Sequence, residues 1–224
     1  MGGDGGLSVT ERTRLRRGKE KGSHRREDLH AVLAGGFLCH LGVVVDGAPM
    51  VVPTVYGVEG ELIYLHGSVA SRSLVQAPGA VVCVNVTQVD ALVLARSVFE
   101  HSVNYRSVMI YGVPRLVTDP DEKLRGLRAL SEQSAPGQWD YVRQPSRKEL
   151  AATSLVALEL TEASVKISAG PPDDGESPDA ELGLWAGVLP IETRFGQLAA
   201  DPVLPDGIEP PAHLTERQGQ ALGR

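Results

Sequence analysis

Short stretches in which apolar residues alternate with polar ones, or run unbroken, recur from about residue 37 to 117 and again from 155 to 191. Such stretches are too short for most helices and carry the period-2 or all-apolar signature of strands. Residues 37–45 and 49–56 read as two strands joined by Asp46-Gly47, a strong hairpin signal because both residues tolerate a left-handed backbone. Glu59-Gly60 turns the chain into a third strand, 62–66, and 80–87 is nearly all apolar, as in a strand buried on both faces. Further strands are expected at 91–96, 106–117, 155–160 and 165–168, and 184–191 is the last segment expected to be ordered.

Helical spacing is confined to a few places. Leu29, Val32 and Leu33 fall on one face, and Gly35-Gly36 is suited to end that helix. A short helix opening at Ser68 or Ala70 closes at Ala77-Pro78-Gly79. Asp119-Pro120-Asp121-Glu122 is a helix start: a capping aspartate, proline at the first helical position and acids at the positive end of the dipole. Leu124, Leu127 and Leu130 then give the apolar stripe, and Pro136-Gly137 stops it. The connections between residues 37 and 87 leave no room for repeated crossover helices, which disfavours a parallel doubly wound sheet. The expected fold is therefore mainly β, an antiparallel barrel with helices at its rim, since closure removes exposed sheet edges.

Composition changes this picture little. The 224 residues, 42% hydrophobic and 22% charged, fit one domain. Aromatics are only 4%, so the core must come from Val, Leu, Ile and Ala, which suits strands. Three segments are expected: a flexible basic arm over 1–22, the barrel domain over 23–191, and a Pro/Gly-rich tail over 192–224. The net charge of -6 argues against a general nucleic-acid binder. Charge is uneven, however. Arg12, Arg14, Arg16, Arg17, Lys19, Lys21, Arg25 and Arg26 crowd the arm, whereas Asp173, Asp174, Glu176, Asp179 and Glu181 form an acidic stretch. Either both are solvated segments, or the arm docks on a partner or helps hold a phosphate.

Cys39 and Cys83 lie in apolar runs with no C-x-x-C spacing, so both read as core thiols and no metal site is expected. The N-terminus lacks an apolar signal core, and no apolar run is long enough to span a membrane, so the expected location is the cytoplasm.

Chemistry concentrates after the third strand. The segment Tyr64-Leu65-His66-Gly67-Ser68-Val69-Ala70-Ser71-Arg72 joins a strand to a short helix with glycine, hydroxyls and an arginine. Either the backbone N–H groups at a helix start, the hydroxyls of Ser68, Ser71 and Ser73, and a bidentate Arg72 together make an anion site, or Ser68 serves only as a helix cap. No G-x-S-x-G, G-x-x-x-x-G-K-[ST] or G-x-G-x-x-G occurs, which removes the main supports of hydrolase and Rossmann readings.

This turn resembles the phosphate-binding element of the pyridoxamine 5'-phosphate oxidase-like FMN-binding split-barrel superfamily, and in particular its subgroup of 5-nitroimidazole-resistance nitroreductases. Four other stretches resemble the same group in the same order: 47–54 (Gly-Ala-Pro-Met-Val-Val-Pro-Thr), 92–97 (Leu-Val-Leu-Ala-Arg-Ser), 104–108 (Asn-Tyr-Arg-Ser-Val) and 185–190 (Trp-Ala-Gly-Val-Leu-Pro). The resemblance implies a six-stranded antiparallel Greek-key split barrel, a homodimer with flavin sites at the subunit interface, and FMN as cofactor. It places Val52, Pro53 and Thr54 along the flavin ring, Gly67, Ser68, Ser71, Arg72 and Ser73 at the phosphate, and Asn104, Tyr105, Arg106 and Ser107 either at the partner's flavin or at the dimer interface. Many members carry lysine where this chain has Ser73, which implies a differently built grip. Trp185 is a candidate for stacking, or a lid on the core.

His66 ends its strand beside the turn and is the candidate catalytic residue, able to bond flavin or substrate and to deliver a proton, or else a structural histidine. The activity the resemblance implies is electron transfer from a reduced donor to a small organic acceptor, with nitroaromatics as the candidate class. A non-catalytic flavin or haem carrier, with His40, His66 and His101 as the histidines to consider, and a deazaflavin-dependent reductase are the alternatives.

Overall fold

A computed structural model describes residues 6–223. Asp46 and Gly47 make the expected turn, with φ of 50° and 78°. They join strand β2 (Leu38–Val45) to β3 (Ala48–Glu59), in register from Val45 opposite Ala48 to Leu38 opposite Val55. Before this hairpin come β1 (Gly22–Ser23) and helix α1 (Arg26–Ala34); after it come β4 (Leu62–Ser68), α2 (Arg72–Gln76), β5 (Val82–Leu94), β6 (Ser102–Gly112) and β7 (Arg115–Leu116). The chain continues through α3 (Pro120–Ser134), α4 (Gln138–Tyr141), α5 (Arg147–Ala152), β8 (Thr153–Glu159), β9 (Glu162–Ser168), β10 (Gly187–Pro190) and α6 (Ala212–Thr215).

All pairings are antiparallel, in the order β1-β9-β6-β5-β2-β3-β4-β8-β7, with β10 on β5. The protein is thus mainly β with peripheral helices. Consecutive strands β8 and β9 pair with opposite flanks of the sheet, β8 with β4 and β9 with β6, and no ladder joins them. Residues 160–161 carry the chain across that gap, which is where the barrel is split.

Several boundaries differ from expectation for identifiable reasons. The strands expected at 80–87 and 91–96 are one strand, β5, because a bulge between Val89 and Ala91 lets the ladder with β6 continue. The strand expected at 106–117 starts at Ser102 and ends at Gly112, before Pro114. Helix α5 was not expected from apolar spacing, although Ser146 and Glu149 form a capping box that marks its start. The ten strands found among the described residues are seven long ones, β8 and β9 among them as expected, and the short strands β1, β7 and β10.

Helix α1 closes one end of the barrel. Leu29, Val32 and Leu33 are buried against Leu41, Val84, Val108 and Val165, and each such side chain contributes about 1.5–3 kcal/mol. Buried Tyr56 donates to the Leu33 carbonyl at 2.6 Å, fixing the helix end to β3. Helix α3 covers the outer face of β3, β4 and β8 through Tyr64, Leu130 and Leu155. It approaches closely because Gly57 of β3 leaves space for the helix backbone at Ala129 and Leu130, while Gly126 accepts Tyr64 and Leu155.

The two flanking segments are also packed. Residues 1–5 of the basic arm lie outside the described residues; from there on Leu7 and Thr13 are buried, and Arg12 grips Glu162 of β9 with bonds of 3.0 and 2.6 Å. The arm is therefore anchored on the edge of the barrel over its described part. Beyond β10, the tail doubles back through an antiparallel bridge of Arg194 with Ala221; Arg217 donates to the Ser134 carbonyl at 2.9 Å and His213 bonds Gln138 at 2.9 Å. No helix among the described residues is long and apolar enough to cross a membrane.

One buried charge holds the acidic stretch. Asp174, 1% exposed, accepts from the Arg96 backbone N–H at 2.5 Å and from its guanidinium at 2.7 Å. Asp174→Asn removes the charge and leaves part of this set unpaired, so it is expected to lower stability by about 2 kcal/mol, read from urea unfolding midpoints. An unchanged midpoint would show that the loop is held by something else.

Candidate functional site

Strand β4 alternates between two environments. Ile63 and Leu65 enter the barrel core, whereas Leu62, Tyr64 and His66 face α3. Tyr64 is covered by the helix, but His66 lies one strand period further on, where α3 no longer covers the sheet. A cavity of about 600 Å³ opens there, lined by His66, Val55, Leu127, Leu130 and Trp139, with Arg143 at its rim. The imidazole is accessible from this cavity yet closely surrounded by protein, and desolvation lowers its pKa below the ordinary value. It is thus neutral near pH 7, with a ring nitrogen free to accept a proton or coordinate.

The far wall is held by carboxylates. Glu132 accepts from the backbone N–H groups of Gly137 and Trp139 at 2.8 and 3.1 Å, which fixes the start of α4 and hence Trp139. Arg143 forms a fork–fork pair with Glu149 at 2.8 and 2.6 Å, and that bond, with the Ser146 cap, holds the Glu149 carboxyl well below its usual range. The capping box at Ser146 could have located α5; nothing in the sequence places Arg143 at a cavity.

The turn after His66 is compact. Gly67 abuts Leu74, and a Cβ there would come within 2.8 Å of it. The Ser71 N–H donates to the Ser68 carbonyl at 2.8 Å and the Ala70 N–H to the Ser68 hydroxyl at 3.2 Å. Helix α2 begins at Arg72, not at Ser68 or Ala70 as expected, because Ser68 closes this turn and Ser71 takes the N-cap position. The Ser71 hydroxyl caps nothing and instead lies 3.1 Å from that of Ser73, which is buried. Exposed Arg72 reaches across to Asp46 in the β2–β3 turn.

Val52, Pro53 and Thr54 pair only with β2, since β4 joins β3 from Tyr56 onward. Their other edge carries no strand, and Pro53, which has no N–H to donate, fits such a place. The remaining candidates stand elsewhere on this chain. Asn104 is buried and donates to the Gly170 carbonyl at 2.9 Å; Arg106 holds Asp90 at 3.0 and 2.7 Å and donates to the Gly223 carbonyl at 3.1 Å. Tyr105 and Ser107 share strand β6 with them, four places from β4 in the sheet. Trp185 is 71% exposed. One chain therefore gathers His66 to Ser73 and the open edge at 52–54, and does not bring the 104–107 group or Trp185 to them.

The three histidines do not converge: His101 bonds the Ala95 carbonyl and His40 lies opposite Pro53 and Asn85 on the barrel wall. Among the described residues no three His, Cys, Asp or Glu side chains are grouped to hold a metal ion.

Comparison with known proteins agrees with this architecture. A flavocytochrome, Anf3, from Azotobacter vinelandii is 32% identical, with a TM-score of 0.88 over 94% of this chain and 98% of that chain. An FAD and haem binding protein from Mycobacterium smegmatis is 36% identical, with a TM-score of 0.85 over 90% of this chain and 98% of that one. A putative 5-nitroimidazole antibiotic resistance protein from Bacteroides thetaiotaomicron is 17% identical and shares the fold, with a TM-score of 0.55 over 65% of this chain and 86% of that one. No curated protein sequence matches significantly. The family profile described as pyridoxamine 5'-phosphate oxidase matches residues 25–167, more than half of the sequence, and the chain belongs to that family.

Proposed function

We propose that this chain is a flavin-dependent redox protein that also holds haem, with His66 at the junction between the two sites. The observation that carries this reading is the continuity of His66 with the Gly67–Ser73 turn: the imidazole faces a largely apolar cavity, and the next residues bring serine hydroxyls and Arg72 to the start of a short helix. Two relatives above 30% identity support it, since one is a flavocytochrome and the other binds FAD and haem.

The residues fit both groups. A lone neutral imidazole in a cavity walled largely by apolar side chains, with Arg143 and its partner Glu149 at the rim, suits an iron porphyrin whose anionic side groups compete with Glu149 for the guanidinium. The open edge at Val52–Thr54 and the serine-rich turn suit a flavin ring and its phosphate. When bound, these groups supply hydride and single-electron chemistry. The chain's own work is to seat them: Arg72 and the hydroxyls of Ser71 and Ser73 hold phosphate, His66 offers its ring nitrogen, and Trp139 with Leu127 keeps water from the cavity floor.

The Mycobacterium smegmatis relative, which binds FAD, favours FAD as the flavin over the FMN expected from sequence. The Asn104–Ser107 strand completes the flavin site from a second copy in a homodimer, and the activity is oxidoreduction with a small organic acceptor. Anaerobic reduction by a reduced nicotinamide or dithionite, followed by mixing with nitroaromatic, quinone or oxygen acceptors, tests this; a reduced protein that returns electrons to none of them would mark a carrier.

Arg72→Ala is expected to weaken flavin affinity by about tenfold to a hundredfold, from the loss of a charge-assisted bond of about 1.5–3 kcal/mol. Fluorescence titration of the apoprotein reads it, and unchanged affinity would move the phosphate elsewhere.

A further inference from the structure

The described part of the arm carries more charge than its anchoring uses. Residues 11–26 hold eight Arg and Lys against two Glu, so the rest of the chain must carry -12 for the whole to reach -6. Arg12 is neutralised by Glu162, and Arg14 and Arg16 share Glu11. Among the described residues Arg17, Lys19, Lys21 and Lys166 form no ion pair.

These four belong to one place. Gly18, with φ of 61°, turns the chain so that Arg17 and Lys19 flank it beside the Lys166 side chain, with Glu20 the single carboxylate among these four cations, and Gly22 of β1 pairs with Lys166 of β9. Lys166 in turn lies directly opposite Ser107 of β6. Opposite residues of antiparallel strands share a face with Cα atoms roughly 5 Å apart. The cationic edge therefore continues onto the outer face of the strand that carries the candidate flavin residues 104–107. The acidic residues Asp173, Glu176, Asp179 and Glu181 follow β9 and pair with none of these cations.

From this juxtaposition we infer that the edge formed by Arg17, Lys19, Lys21 and Lys166 is the docking surface for a small acidic electron-carrier protein that reduces the bound redox group. The inference rests on the redox reading above and names its donor. With the rest of the chain net negative, a carrier of net negative charge is drawn toward this cationic edge, so the same field that speeds encounter also orients it. Electron-transfer complexes are small and short-lived, which suits a patch of four cations without an apolar groove. The carrier is the reductant and the chain's redox group the oxidant, one electron passing per encounter.

Binding of an oxidised, acidic plant-type [2Fe–2S] ferredoxin, followed by amide shift changes in the labelled ferredoxin, is the test, and it needs no turnover. The expected result is saturable binding at about 10 mM ionic strength that is lost near 1 M, where the Debye length falls from about 30 to about 3 Å. Lys19→Glu with Lys21→Glu and Lys166→Glu should weaken binding at least tenfold, and the Gln version of the same triple by less, with thermal unfolding midpoints confirming folded protein. Binding that is equal in all three proteins, or tighter binding of duplex DNA at the same edge, would overturn the proposal. Since ferredoxin binding is read directly, its absence is distinguishable from absence of flavin or haem bands in the protein's spectrum.

Discussion

His66→Ala is expected to abolish haem retention while leaving the flavin bands and the fold in place. His66 is the one histidine lining the cavity, and the described residues around it supply no other imidazole or thiolate to bind iron. Its partner strand, β8, pairs through backbone groups, so truncation costs the sheet nothing directly. Second-shell partners alone change metal affinity about 10–100-fold, and loss of the ligand itself should exceed that. Haemin titration of the apoprotein, followed by the Soret band, measures it. Acid should mimic the substitution. Desolvation by the surrounding cavity wall lowers the pKa of the accessible His66 imidazole below the histidine reference of about 6.5, so haem is expected to be released only as pH falls below that reference. The same shift makes the folded protein bind fewer protons than the unfolded chain, and stability therefore falls as pH drops from about 6.5 toward the folded pKa. Haem loss centred at or above the ordinary histidine value would contradict this assignment.

Gly57→Ala is the second large effect. A Cβ at this position would lie 2.3 Å from the Leu130 backbone nitrogen and 2.4 Å from the Ala129 carbonyl carbon. Neither is a flexible side chain, so α3 must move off β3 as a unit. Overpacking of this kind costs about 1–3 kcal/mol and occasionally more, and the backbone contact puts Gly57 at the upper end. Because Leu127 and Leu130 of the same helix line the cavity, the substitution should also weaken haemin binding. Gly79→Ala is the comparison: that glycine has space for a Cβ but a φ of 85°, so it should cost backbone strain of roughly 1 kcal/mol with no effect on haemin. Equal effects of the two on haemin affinity would show that α3 does not set the cavity.

Much of this was legible in the sequence where the cause is local. Asp46-Gly47 fixes the hairpin, Asp119-Pro120 starts α3 with the Asp119 side chain accepting from the Glu122 N–H, and the Leu29, Val32 and Leu33 stripe faces the core. The turn at Gly67–Ser73 was found from its residue types, and the family from the ordered stretches that surround it. What was missed depends on contacts between distant segments. The bulge that fuses two expected strands exists because β6 lies alongside; the gap between β8 and β9 follows from which flank each strand finds. Arg143 reaches the cavity through an irregular connection, and the tail covers Arg106 from more than a hundred residues away. Gly57 and Gly126 read as unremarkable glycines until the helix that crosses them is in place.

The central claim is a flavin at the Gly67–Ser73 turn with haem beside it on His66. The absorbance spectrum of the purified protein tests it most directly. The account predicts flavin bands together with a Soret band, the Soret band alone vanishing in His66→Ala; a protein that shows neither after reconstitution with FAD, FMN and haemin would contradict it.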